Sequence, residues 1–196
     1  TFLDAAGVKP PAEMTGKSFL ASLTSGAPGP NEYVVFGRER HSHARYDNLG
    51  YPARALRTRD HLYIRNFKPD RWPAGDPEAY YDIDDGPAKT FLIENKDKYP
   101  RLFDMAMGKR PEEELYRVTE SMDCMENLAS APEHREAKLQ LSEKLSAVLT
   151  EQKDPRGIGT GDVFDSYPRF GAMRPELGGF AGRGVYNPRY QTEKRK

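Results

Sequence analysis

Apolar and polar residues alternate along the first half of the chain, and the period changes to helical along the second. Tyr33-Val34-Val35-Phe36 reads as a strand over residues 32–37. Ala53-Arg54-Ala55-Leu56-Arg57-Thr58 alternates small or apolar with basic, as a half-buried strand does. Arg59-Asp60 is a two-residue turn, and His61 to Asn66 returns as the second arm of a hairpin. A further short strand is predicted over 113–118. Before these, Ser18 to Leu23 forms a short amphipathic helix closed by Gly26 and the Pro28-Gly29-Pro30 turn. Phe91, Ile93, Leu102, Phe103 and Met107 are spaced helically, with Pro100 as an interruption or a helix start. The strongest helix runs over 132–151. Pro132 suits its first turn, acidic residues open it, and Leu139, Leu141, Leu145, Val148 and Leu149 make its apolar face. The fold class is therefore α+β: a small antiparallel sheet of about four strands with this helix packed across one face.

Between these elements lie irregular stretches. Residues 67–90 are rich in Pro, Asp and Tyr and read as an ordered loop with Trp72, Tyr80 and Tyr81 as anchors. Residues 154–196 hold many glycines and few aliphatics. They cannot bury much alone and should lie over another surface, pinned by Phe164, Tyr167, Phe170 and Phe180. The opening Thr-Phe-Leu-Asp-Ala-Ala-Gly reads as the last turns of a helix ended by Gly7. Such an uncapped start is expected of a piece of a longer protein, or of a chain that has lost a short leader.

Composition narrows the function. Hydrophobic residues make up 37% of 196, so the core is small for the length. Thirty Lys and Arg balance thirty Asp and Glu, which gives no net attraction to nucleic acid or to a membrane surface. No apolar run reaches membrane-spanning length, and no basic segment followed by an apolar one opens the chain. The single cysteine, Cys124, excludes an internal disulfide and a multi-cysteine metal site. It sits among acids, which raise a thiol pKa, so it reads as a structural residue rather than a nucleophile.

Against this balanced background, residues 36–67 carry seven arginines and three of the four histidines. Arg38, Glu39, Arg40, His41, Ser42, His43, Ala44 and Arg45 follow a strand end, a usual place for ligand contacts. Arginine forks match sulfate, phosphate or carboxylate. Histidine donates to the same oxygens or to sugar hydroxyls. Glu39 can orient a cation or accept from a hydroxyl or amine. Together they suit an anionic, hydroxyl-rich ligand such as a sulfated or phosphorylated sugar. Arg54 and Arg57 fall on opposite strand faces and should serve different purposes.

Three other readings of this stretch stand beside that one. His41-x-His43 could contribute to a metal site, but no third ligand has a recognisable spacing and the arginines repel a cation. Tyrosines among arginines could stack on nucleic-acid bases, but no binding motif accompanies them. The arginines could pair with the chain's own Asp82, Asp84, Asp85 or Glu112 to Glu114, and for any single arginine this is the favoured reading. No nucleophile elbow or phosphate loop is present.

Three segments resemble the carboxy-terminal part of a sulfatase of the alkaline-phosphatase-like superfamily. In TFLDAAGVKPPAEMTGKSF, Phe2, Leu3, Gly7, Pro10, Gly16, Ser18 and Phe19 occupy the family's conserved places. In EELYRVTESMDCMENLA, Glu114, Leu115, Tyr116, Asp123, Glu126, Asn127, Leu128 and Ala129 match the ELYDLxxDPxExxNLA signature, with Met122-Asp123-Cys124 where Asp-Pro is usual. FGRERHSHARYDNLGYPARALRTRDHLYIRNF resembles the heparan N-sulfatase (sulfamidase-like) branch most closely.

The resemblance implies a domain plan: residues 1–30 end the main sulfatase domain and connect onward, 31–153 form a C-terminal subdomain of the α/β sulfatase fold, and 154–196 are an irregular tail. It also implies hydrolysis of sulfate from a sulfated amino sugar or glycan, through a formylglycine made in a Cys-x-Pro-Ser-Arg motif and a calcium ion held by Asp and Asn. That motif is absent here, so the expectation is that calcium and formylglycine belong to the missing N-terminal sulfatase domain as partner. This chain then holds no catalytic or metal-binding residue and is inactive alone. It would supply the wall of the substrate pocket. His41 matches the family turn's histidine at the sugar, and His43, Glu39, Arg38 and Arg45 join it by proximity. The family further implies export. A non-catalytic glycan- or anion-binding module is the alternative.

Overall fold

The computed structural model of the protein describes residues 1–41, 44–45, 49–77, 79–167, 180–181 and 185–186. In chain order the elements are α1 (Phe2–Ala5), α2 (Leu20–Ser25), β1 (Tyr33–Arg38), β2 (Ala53–Thr58), β3 (His61–Asn66), α3 (Pro87–Glu94), α4 (Pro100–Met107), β4 (Glu113–Arg117), a 3-10 turn (Pro132–His134), α5 (Arg135–Glu151), α6 (Val163–Ser166), β5 (Phe180–Ala181) and β6 (Val185–Tyr186). The strands β1 to β4 form one antiparallel sheet in sequence order, and β5 pairs with β6 alone. The architecture is α+β, as the residue pattern predicts.

Register sorts the side chains onto two faces, because successive strand residues point to opposite sides. Leu56 lies opposite Tyr63, and Tyr63 opposite Leu115. These three bury against Leu141, Leu145 and Leu149 of α5 to make the main core. Leu145 is fully buried, and a side chain so placed contributes about 1.5–3 kcal/mol. Polar contacts fix the same helix: Arg65 donates to Ser142 and Ser146, the Tyr63 hydroxyl donates to Glu113, and Lys138 pairs with Glu113. On the other face, Ala55 lies opposite both Phe36 and Ile64, and Ile64 lies opposite Glu114. Among the described residues this face has no helix equivalent to α5. Its β1 edge leaves Val34 and Phe36 about half exposed.

The ELY and NLA segments are joined physically. Asn127 Oδ1 accepts from the backbone N–H of Leu115 and Ala129, its Nδ2 donates to the Glu113 carbonyl, and Leu128 N–H donates to the Leu115 carbonyl. The Asn side chain therefore stitches the following segment to the β4 edge.

Several expectations need correction. The helical region predicted over 91–107 does restart at Pro100, but its first helix begins earlier than predicted, at Pro87, so the loop after β3 ends at Gly86. Pro87 and Pro100 each occupy a first helical position, where a missing N–H costs nothing. The first turn predicted for the long helix is 3-10, and Leu139 on α5 is 54% exposed rather than part of the apolar face. The short helix closed by Gly26 sits two residues later than predicted, and Gly26 has the left-handed φ of 71° that suits a helix end. Among the described residues no helix is long and apolar enough to cross a membrane.

Candidate functional site

Strand β1 ends at Arg38 and the chain crosses to β2 through residues 39–52. The crossing is tied at both ends, by Tyr51 N–H to the Glu39 carbonyl and by Asp76 N–H to the Ala44 carbonyl. The second contact stitches it to the loop between β3 and α3. A small second core of Ala74, Tyr80 and Met107, with Ile83, Ile93 and Phe103 packed on it, fixes that loop. Asp82 N–H donates to the Ala74 carbonyl, so this core sets the position of Asp82.

Asp82 is the centre of the site. Its side chain is 1% exposed. Arg45 Nη2 donates to Oδ2 at 2.8 Å, Arg38 Nη2 makes a short contact with the same oxygen, and His41 Nδ1 lies 2.8 Å from Oδ1. Burial pushes the Asp82 carboxyl up, but the bonds from Arg45 and His41 and the charge of Arg38 outweigh it and hold the group below the usual range. Burial also lowers Arg45, which is 2% exposed. A guanidinium starts far enough above neutrality to stay charged, so the pair is ionic.

The members differ in reach. Arg45 spends Nε on the Trp72 carbonyl and Nη2 on Pro73 and Asp82. It holds the carboxylate in place from inside. Arg38 is 45% exposed and, among the described residues, commits Nη2 alone, to Asp82 and the Pro73 carbonyl. His41 is 71% exposed. An ionised Asp82 accepts from Nδ1–H, which leaves Nε2 turned to solvent with its orientation set by a buried group. In the neutral ring Nε2 accepts a hydrogen bond; protonated, it donates one.

Glu39 belongs elsewhere. Its carboxylate accepts from Arg54 Nη2 at 2.9 Å and from Arg156 at 3.0 and 3.1 Å. Arg54 reaches it by crossing over Gly37, where any Cβ would stand 2.5 Å from Arg54 Cδ. Around this pair Asp154 accepts from Arg54, Asp162 from Arg156 and Lys68, and Asp165 from Arg71 and the Gly50 N–H. Burial opposes the Asp154 and Asp165 charges, yet their Arg54 and Arg71 partners keep both pKa values low. Residues 154–165 are thus fastened by ion pairs rather than by the aromatic contacts predicted. Phe164 does pack, against Arg156 and Tyr167; Phe170 lies outside the described residues, and of Phe180 only the backbone is described.

Of the five residues proposed from sequence, Arg38, His41 and Arg45 converge on Asp82, Glu39 joins the second cluster, and His43 lies outside the described residues. Asp82 itself was legible only as one acid among several that could pair with arginine. Arg54 and Arg57 do serve different purposes: Arg57 donates to the carbonyls of Thr58 and Arg59 in its own turn. Cys124 is partly exposed at a positive φ of 52°, and burial raises its thiol pKa. Among the described residues no group of three His, Cys, Asp or Glu side chains could hold a metal ion.

No known family profile matches the chain. It is 29% identical over 158 residues to an ulvan-active sulfatase of Formosa agariphila, a match covering 79% of this chain and 28% of that protein. The chain thus spans less than a third of the length of this curated relative. Two solved structures share a TM-score of 0.48 and 17% identity with it. One is a protein in complex with its substrate D-glucosamine-2-N,6-O-disulfate, over 80% of this chain and 24% of that one. The other is a 2-O GAG sulfatase, over 95% and 28% respectively. The chain is therefore similar in sequence to one part of a sulfatase.

Proposed function

We propose that this chain is part of an exported sulfatase, of the sulfamidase-like branch, that removes sulfate from a sulfated sugar or glycan, and that the His41–Asp82–Arg38 cluster forms one wall of its substrate pocket. The observation that carries the reading is the exposed imidazole held on a buried carboxylate that Arg38 and Arg45 also engage. Sequence similarity to an ulvan-active sulfatase supports the reaction class. A mobile surface histidine would spend entropy on binding; one already oriented by Asp82 does not. Nε2 can accept from a sugar hydroxyl or, when protonated, donate to a sulfate oxygen, while the half-exposed guanidinium of Arg38 supplies positive charge beside it.

Cys-x-Pro-Ser-Arg does not occur in this sequence, and among the described residues no group of three His, Cys, Asp or Glu side chains could hold a metal ion. No step of sulfate transfer is therefore assigned to these residues. Their part is to bind and orient.

The test is sulfate release by the full-length protein. Losing one charge-assisted hydrogen bond of about 1.5–3 kcal/mol should lower kcat/KM of His41→Ala by roughly 10- to 150-fold. Arg57→Ala, at the far end of the hairpin, should leave it nearly unchanged. Equal effects would remove His41 from the site. Salt-sensitive binding of sulfated sugars with no release of sulfate would favour a non-catalytic anion-binding module instead.

A further inference from the structure

The crossing from β1 to β2 carries His41 between two limbs, and one short segment, residues 154–167, holds both. On the first limb Glu39 accepts from Nε and Nη2 of Arg156, and Arg40 Nη2 donates to the Tyr167 carbonyl at 2.7 Å. On the second, Gly50 N–H donates to Asp165 Oδ1, and Arg71 bonds both the Gly50 carbonyl and the Asp165 carboxylate. The limbs also touch each other. Tyr51 N–H donates to the Glu39 carbonyl, and a Cβ on Gly50 would stand 3.2 Å from that same oxygen. A shift of either limb therefore moves the other.

Among the described residues the charges of this network balance. Glu39, Asp154, Asp162 and Asp165 face Arg54, Arg156, Arg71 and Lys68. It closes on itself rather than awaiting an ion. Stability alone does not account for it, since apolar residues in place of a buried ion pair are often as stable or more so. What a guanidinium fork adds is fixed geometry. Arg156, 3% exposed, applies two nitrogens of that fork to Glu39. Glu39 stands two residues before His41 and next to Arg38, which reaches Asp82. Just ahead of His41 the chain is thus pinned to two separate clusters by adjacent side chains.

We propose that the 154–167 strap positions His41, with Glu39 and Asp165 as positioning residues on the two limbs. By holding the crossing it keeps His41 Nδ1 at 2.8 Å from Asp82, and so aims Nε2. Neither positioning residue touches substrate; both act through the imidazole. The inference deepens the proposed function and rests on it only for the use made of Nε2.

Long-range proton–nitrogen NMR of the full-length protein with labelled histidine tests it, the His41 signals being those that His41→Ala removes. In alkaline buffer, where an imidazole is neutral, the bond to Asp82 sets the tautomer, so the wild type should show Nδ1–H. Glu39→Gln leaves Arg54 on Asp154 and Arg156 on Asp162, so the protein should fold. Glu39→Gln and Asp165→Asn should each bring in the Nε2–H form. Each should lower kcat/KM for sulfate release about 2- to 30-fold, and neither should add a loss to His41→Ala. Glu113→Gln breaks the contacts of Tyr63 and Lys138 instead, so it should lower the melting temperature without moving the tautomer. A wild-type ring lacking Nδ1–H, a tautomer unmoved by both strap variants or moved equally by Glu113→Gln, or losses that multiply with His41→Ala would each overturn the proposal. A moved tautomer with His41→Ala fully active keeps the strap and removes the substrate wall. An unmoved one with His41-dependent release removes the strap alone.

Discussion

Replacing Asp82 by Asn keeps the shape of the side chain and deletes its charge. Arg45 would then remain 2% exposed beside an amide that offers a donor as well as an acceptor. Removing one partner of a buried ion pair costs about 3–5 kcal/mol, because the other charge stays buried uncompensated. At about 2–4 °C per kcal/mol for a chain of this length, the melting temperature should fall by roughly 6–20 °C. Thermal denaturation followed by circular dichroism measures it. Arg45→Met in the same protein supplies the control. If the cost is the orphaned charge, the double variant should be less destabilised than the two single ones summed, with a coupling of about 0.5–3 kcal/mol. Asp82→Asn melting with the wild type, or strict additivity, would refute the placement of Asp82 as the buried anchor of the site.

Other expectations are as direct. Leu145→Asp puts an unpaired charge into the main core and should abolish cooperative unfolding; an unchanged melt would overturn the core assignment. Asp82, Asp154, Asp165 and Glu113 have folded pKa values below the ordinary range, so each stabilises the fold above the unfolded value of roughly 4 and loses that contribution as pH falls through its own lower pKa. Melting temperature should therefore drop on acidification below about pH 5, and Asp154→Asn should make the drop shallower; a flat profile would contradict the paired carboxylates. Cys124→Ser should leave sulfate release nearly intact, since its raised pKa keeps it a thiol, and total loss would give that residue a role its environment does not explain.

What the sequence revealed depended on distance along the chain. The hairpin of β2 and β3, the β4 strand and α5 were legible because period and turn residues are local signals. The ELY and NLA segments were legible as a pattern, and the Asn127 bonds supply its cause. The first turn of helix α3 was missed because Gly86-Pro87 reads as loop, although Pro suits a first helical turn. The site was harder. Asp82 is 41 residues from His41 and 37 from Arg45, and no periodicity links them. Glu39 neighbours Arg38 in sequence but pairs with Arg156, 117 residues away, because Gly37 lets Arg54 and its partners gather on the face that α5 covers. Residue type pointed to the right strand end; the partner of each charge came from the fold.

The most direct test is a crystal structure of the full-length protein with a sulfated sugar bound. A sugar or sulfate oxygen should stand within hydrogen-bond distance of His41 Nε2 while Nδ1 stays on Asp82. A ligand bound away from His41, or an imidazole detached from Asp82 when the ligand is in place, would contradict the account.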